Sequence, residues 1–209
     1  MSISFYLDIE DSDEHDDFGE QCSICLDVVH GRELMQCQSC DRKYHNHCHL
    51  PKIPDIVFNN PYWSCTMCKF RELVDALRLM KSTTLGVSIG EPGRIVAERL
   101  IMTLSNEYGS IHFREFPSNK TFPTFFEKVS NPINLIIIIN RLESNTHYTT
   151  IDQVIDDLKK LFTDSLMFYD EPHEFYGYAR HLLNLLDKII AKWIPELEEL
   201  KTKTSESSS

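Results

Sequence analysis

All seven cysteines of this 209-residue chain lie between residues 22 and 68, in the pattern C-x2-C-x11-C-x2-C-x4-H-x2-C-x16-C-x2-C. A C-x2-C pair fits on one tight turn and aims two thiolates at a single ion. Seven thiols and one imidazole make eight ligands, enough for two tetrahedral zinc sites, whereas a disulfide framework would favour an even cysteine count. The ligand set is Cys22, Cys25, Cys37, Cys40, His45, Cys48, Cys65 and Cys68, with two Zn2+ as cofactors. Cysteines kept reduced imply the cytosol or nucleus. The H-x2-C half-site is met by His45, which assigns the neighbouring His47 and His49 to the surface. So small a region has little apolar core, and binding of the ions should drive its folding.

The formal net charge of -11 argues against a duplex DNA binder that neutralises phosphates. It suits a basic partner, such as a histone tail, or simply solubility. Eight carboxylates fall within residues 1–20, so residues 1–19 read as a disordered acidic arm. Residues 20–70 hold the Cys/His region, 71–93 a connecting helix and linker, 94–196 a helical bundle, and 197–209 a disordered Ser/Glu/Lys tail. No uninterrupted apolar run is long enough to span a bilayer.

The bundle is legible as four helices. Arg94–Tyr108 puts Ile95, Ala97, Leu100, Ile101, Leu104 and Tyr108 on one broad face, with Gly109 as its stop. Residues 109–131 are irregular and aromatic-rich, because Pro117 and Pro123 forbid a continuous helix. Asn131-Pro132 reads as cap and first position of a second helix, which makes the β-branched run Ile136–Ile139 helical rather than a buried strand. Thr149 or Thr150 caps a third helix that carries Val154, Ile155, Leu158, Leu161, Phe162 and Leu166. A fourth runs from about Glu174 to Pro195. One long loop between the first and second helices gives an antiparallel bundle with a crossover connection.

The ligand order, with His in fifth place, and Trp63 two residues before Cys65 resemble the PHD finger. A RING finger places its His fourth and lacks this tryptophan. The resemblance implies a cross-brace, with Cys22, Cys25, His45 and Cys48 on one zinc and Cys37, Cys40, Cys65 and Cys68 on the other. The segment from Ala97 to Pro195 resembles a bromodomain. The carrying residues are Ile111-His112-Phe113 at the shelf, Thr121-Phe122-Pro123-Thr124-Phe125-Phe126 where the family's loop reads V-P-D-Y-Y, and Asn131-Pro132-Ile133-Asn134-Leu135 where it reads N-P-M-D-L. The implied fold is a small zinc-stabilised cross-brace domain followed by an all-α four-helix bundle. Over about residues 20 to 195 the pair resembles the C-terminal half of the transcriptional intermediary factor proteins, the tripartite-motif co-regulators of chromatin.

That resemblance implies a nuclear, non-enzymatic reader in transcription regulation, whose finger adds the histone H3 tail as a strand beside Glu33, Leu34, Met35 and Gln36, with Pro51 near the tail's amino terminus. Methyl-lysine readers carry a cage tryptophan two residues before the His ligand, where this chain has Lys43. Glu20, with Asp17, stands where the family contacts an unmodified lysine. In the bromodomain, the acetyl-binding Asn corresponds to Tyr169, or to Asp170 on a one-residue slip, and the water-bonding Tyr corresponds to Phe125. The pocket residues Phe113, Phe122, Phe125, Tyr169 and Phe175 therefore supply no amide donor, and conventional acetyl-lysine reading is not expected. Neither sequence-specific DNA binding nor a membrane is implied. The alternative that the family offers is a SUMO ligase or a protein-docking scaffold.

Overall fold

The computed structural model describes residues 21–27, 34–58, 60–82 and 89–193. Two short antiparallel strands, β1 (Met35–Gln36) and β2 (Lys43–Tyr44), carry the finger in the register Met35 opposite Tyr44 and Gln36 opposite Lys43. Its core is correspondingly small, built from Ile24, Met35, Tyr44, Leu50 and Ile53, all buried. A 3-10 turn at Asp55–Val57 leads round to Trp63, whose ring meets those of His49 and Tyr44 edge to face, at 5.0 and 6.2 Å.

Helix α1 (Phe70–Ser82) follows directly and buries Leu73 and Ala76 against α2 (Gly90–Ser105). The second helix begins before Arg94, so part of the expected linker is helical. It also ends at Ser105 rather than Tyr108, with Asn106 N–H donating to Met102 O at 3.1 Å. Tyr108 consequently leaves the apolar face on which the periodicity put it and is 80% exposed. α2 is buried on almost every side: Glu98, Arg99, Met102 and Ser105 are buried along with Val96, Ala97, Leu100, Ile101 and Leu104. A helix covered all round lies between two packed bodies. Here one is the finger with α1 and the other is the bundle.

Gly109, at φ 82°, turns the chain into a 3-10 turn at Ser110–Phe113, and a four-residue helix, α3 (Phe125–Lys128), sits within the long crossover. α4 spans Leu135–Glu143, with Leu135, Ile138 and Leu142 inward, so the isoleucine run is helical. Its cap is not Asn131. That residue adopts a left-handed φ of 49°, which places Pro132 outside the helix, and Asn134 instead accepts from Ile137 N–H at 2.8 Å through its side chain. α5 (Ile151–Phe168) is capped by Thr150, and Gln153 Oε1 accepts from Thr149 N–H at 2.7 Å. α6 (Glu174–Trp193) buries Ala179, Leu182, Leu186, Ile189, Ile190 and Trp193. Helices α2, α4, α5 and α6 form the bundle. Among the described residues, no helix is long and apolar enough to cross a membrane.

Finger and bundle share one continuous core. Across the seam, Tyr44 Oη donates to Asn106 Oδ1 at 3.2 Å, Leu50 N–H to Met102 Sδ at 3.3 Å, and Arg99 Nη1 to Thr66 O at 2.6 Å.

Candidate metal centres and aromatic cluster

Cys22, Cys25, His45 and Cys48 form one cluster, the mixed centre, and Cys37, Cys40, Cys65 and Cys68 the other, the all-cysteine centre. The ligand atoms in each cluster lie within 4.8 Å of one another. The first half-site pairs with the third and the second with the fourth, so the clusters interleave. Tetrahedral zinc with Zn–S bonds of about 2.3 Å places its ligand atoms about 3.5–3.8 Å apart. Cys25 Sγ and Cys48 Sγ lie 3.3 and 3.8 Å from His45 Nδ1, and Cys40 Sγ lies 3.9 Å from Cys65 Sγ. Both donor sets, three cysteines with a histidine and four cysteines, are those of structural zinc. Within each cluster the crowded thiols share protons unequally. The Cys48 thiol beside Cys22 draws Cys22 down to about 4 while Cys48 is itself pushed up, and Cys65 and Cys68 hold Cys40 well below the ordinary thiol range while both are themselves raised. Two zinc ions fit, one in each cluster.

His47 is exposed, and its ring stacks on His45 at 5.2 Å. His49 overturns the surface assignment, being only 5% exposed. Its Nδ1–H donates to Pro51 O at 2.7 Å and its Nε2 accepts from Thr66 N–H at 3.0 Å, a pairing that requires the neutral ring. Burial pushes its pKa down to about 4, which agrees with that tautomer. Sequence spacing could not have found this histidine, because its partners are backbone groups brought together by the fold.

Of the residues assigned to tail binding, Leu34 precedes β1, and Met35 and Gln36 form it. Met35 is buried and Gln36 exposed, so Met35 has only its backbone to offer a ligand. Pro51 lines a small pocket of about 50 Å3 at the seam, with Thr66, Lys69, Glu72, Glu98 and Arg99. Asp17, Glu20 and Glu33 lie outside the described residues, as does the whole acidic arm.

In the bundle, Phe122, Tyr169 and Phe175 meet one another, with ring centroids 5.2, 5.3 and 6.3 Å apart. Tyr169 is 8% exposed, whereas Asp170 is exposed, so Tyr169 is the one of the two alternatives that faces inward. Burial raises its phenol to about 12. Phe125 reaches the group through Phe168, at 5.0 Å, while Phe113 packs on Phe162 at 5.6 Å. Phe168 and His173 were not among the pocket residues expected from the sequence, and His112 was named only at the shelf. His173 packs on Tyr169 at 4.9 Å, and His112 stacks on Phe175 at 4.2 Å.

Two interleaved zinc clusters on a two-stranded sheet, docked on a four-helix bundle with a long aromatic crossover, define a zinc-finger and helical-bundle cassette. Residues 22–68 match the PHD-finger family and residues 97–181 the bromodomain family. The chain is a PHD finger followed by a bromodomain, the pairing of chromatin-reader proteins. It is 27% identical over 197 residues to Tripartite motif-containing protein 66 of Mus musculus, covering 88% of this chain and 13% of that protein. It is 24% identical over 178 residues to E3 ubiquitin-protein ligase TRIM33 of Homo sapiens, covering 81% of this chain and 15% of that protein. The finger region is 33% identical over 75 residues to Integrator complex subunit 12 of Danio rerio, covering 32% of this chain and 16% of that protein. The chain thus spans only about a seventh of the length of these relatives.

Proposed function

We propose that this chain is a nuclear chromatin reader whose PHD finger takes the N-terminal tail of histone H3 with its first lysine unmodified, and whose bromodomain does not hold acetyl-lysine. The observation that carries the first half is the pairing of Gln36 with Lys43 across the sheet. Among the described residues the sheet has two strands, so β1 has an edge to which an extended peptide can add, with main-chain hydrogen bonds supplying affinity. A cation directly across from that strand opposes a quaternary ammonium, which needs aromatic faces. An unmodified lysine keeps three N–H donors and finds carboxylates in a chain of net charge -11.

The second half rests on the aromatic cluster. On the resemblance, Tyr169 takes the place of the acetyl-binding amide and Phe125 that of the water-bonding hydroxyl, and Phe122 and Phe175 both pack on the Tyr169 ring. An acetyl carbonyl entering there would lose hydrogen bonds worth about 1–3 kcal/mol each and would have to part rings already in contact. The bromodomain then serves as the body on which the finger is mounted. Calorimetry on the zinc-loaded chain tests the first half. The unmodified H3 tail should bind at least about ten times more tightly than the tail trimethylated at its first lysine, and equal or reversed affinities overturn the reading. Acetylated H3 and H4 peptides should give no saturable NMR shifts around Phe113 and Tyr169, and saturation there overturns the second half.

A further inference from the structure

Each zinc centre keeps a negative charge after binding its metal: four thiolates leave the all-cysteine centre doubly negative, and three leave the mixed centre singly negative. Such charge needs a partner where water is excluded. Arg114 leaves the crossover just after the 3-10 turn at Ser110–Phe113 and places Nη2 3.8 Å from Cys48 Sγ. Its Nη1 is buried and makes no hydrogen bond. A guanidinium nitrogen stripped of both water and protein acceptors is costly unless a negative centre faces it.

At the other centre, Arg99 of α2 is buried, donates through Nη1 to Thr66 O at 2.6 Å inside the Cys65–Cys68 knuckle, and has its Nε buried without a partner. The bundle thus sets Arg99 against the knuckle of the doubly negative centre and Arg114 beside the singly negative one.

We infer that Arg114 and Arg99, both supplied by the helical bundle, are outer-shell partners of the mixed and all-cysteine zinc centres respectively, so that docking of the bundle and retention of zinc stabilise each other. The inference does not depend on what the finger binds. The linkage runs both ways: the bundle slows metal loss, and metal loss takes from the bundle the anions that its arginines were buried to face. Outer-shell partners typically change metal affinity about 10–100-fold.

The test uses the full chain loaded with cadmium, whose NMR signals separate a site with a histidine ligand from one with thiolates alone, and follows transfer of each ion to an excess of chelator. Arg114→Met should speed loss from the mixed site about tenfold and leave the all-cysteine site unchanged. Arg99→Met should do the reverse, and Arg114→Lys, which keeps the charge, should stay within about threefold of wild type. Unchanged release in both methionine variants overturns the inference, as does equal acceleration at both sites, the signature of general destabilisation. Should a methionine variant not fold, hydrogen exchange on the wild-type chain decides. Chelating zinc should strip protection from α2 amides between Arg99 and Asn106, and full protection there in the metal-free chain overturns the coupling.

Discussion

Gly109→Ala probes the turn that joins α2 to the shelf. The residue has φ 82°, where an L side chain costs about 1–2 kcal/mol. An added Cβ would lie 2.4 Å from Tyr178 Cγ, 2.6 Å from Cδ1 and 2.9 Å from Cβ. These atoms are at the root of the tyrosine, so relief requires α6 itself to shift, and overpacking of this kind costs about 1–3 kcal/mol. The Tyr178 ring is also held by stacking on His112 at 5.5 Å. The two costs together come to about 3 kcal/mol, or a fall in Tm of about 6–12 °C for a folded unit of this size. Calorimetry of the zinc-loaded chain measures it, and a double-mutant cycle separates the causes. With Tyr178→Ala as background the clashes with Cγ and Cδ1 vanish and only the 2.9 Å contact with Cβ remains, so Gly109→Ala should cost little more than the backbone's share, about 1 kcal/mol. An equal cost in both backgrounds, or a Tm within 2 °C of wild type (on the order of 1 kcal/mol or less), refutes the reasoning.

Four further outcomes are expected. Cys25→Ser should lower the zinc count by native mass spectrometry from two ions to one, since each cluster holds a single metal. Tyr148→Phe should destabilise the chain by about 1–2 kcal/mol in urea unfolding, because Tyr148 Oη donates at 2.6 Å to Asp157, the carboxylate that also holds Arg141 at 2.7 Å. Burial raises the Glu98 pKa above the ordinary carboxylate value despite Arg94 at 2.8 Å, so the folded state holds this proton more tightly than the unfolded chain. Its contribution is present at low pH and is lost as pH rises through the folded value, so the urea midpoint of Glu98→Gln should gain on wild type over that window; a constant gap would contradict it. Tyr169→Asn alone should still fail to give saturable NMR shifts with acetylated peptide, because Phe122 and Phe175 remain 6.3 Å apart, whereas adding Phe122→Ala should open the site.

Much of the local structure could be read without coordinates, because it depends on near neighbours. The C-x2-C turns, the helical Ile136–Ile139 run and a threonine cap at 149 or 150 each depend on a few consecutive residues, and all survive in the fold. Errors arose where two local signals competed or a distant group intervened. Asn131 and Asn134 both suit a helix start, and the left-handed backbone at Asn131 decided for Asn134. His49 looked like a surface histidine until Pro51 O and Thr66 N–H closed around it.

From the ligand spacing alone followed two metal centres, and from the resemblance came the expectation, at Tyr169 and Phe125, of an altered bromodomain pocket. Only tertiary structure decided that finger and bundle form one core, that Phe122, Tyr169 and Phe175 meet, and that Arg99 and Arg114 approach the zinc centres from the other module. The reason is physical. A chelating turn is specified by its own few residues, whereas the burial of an arginine against a thiolate on a separate module depends on the packing of α2 between two bodies, which no short stretch of sequence encodes.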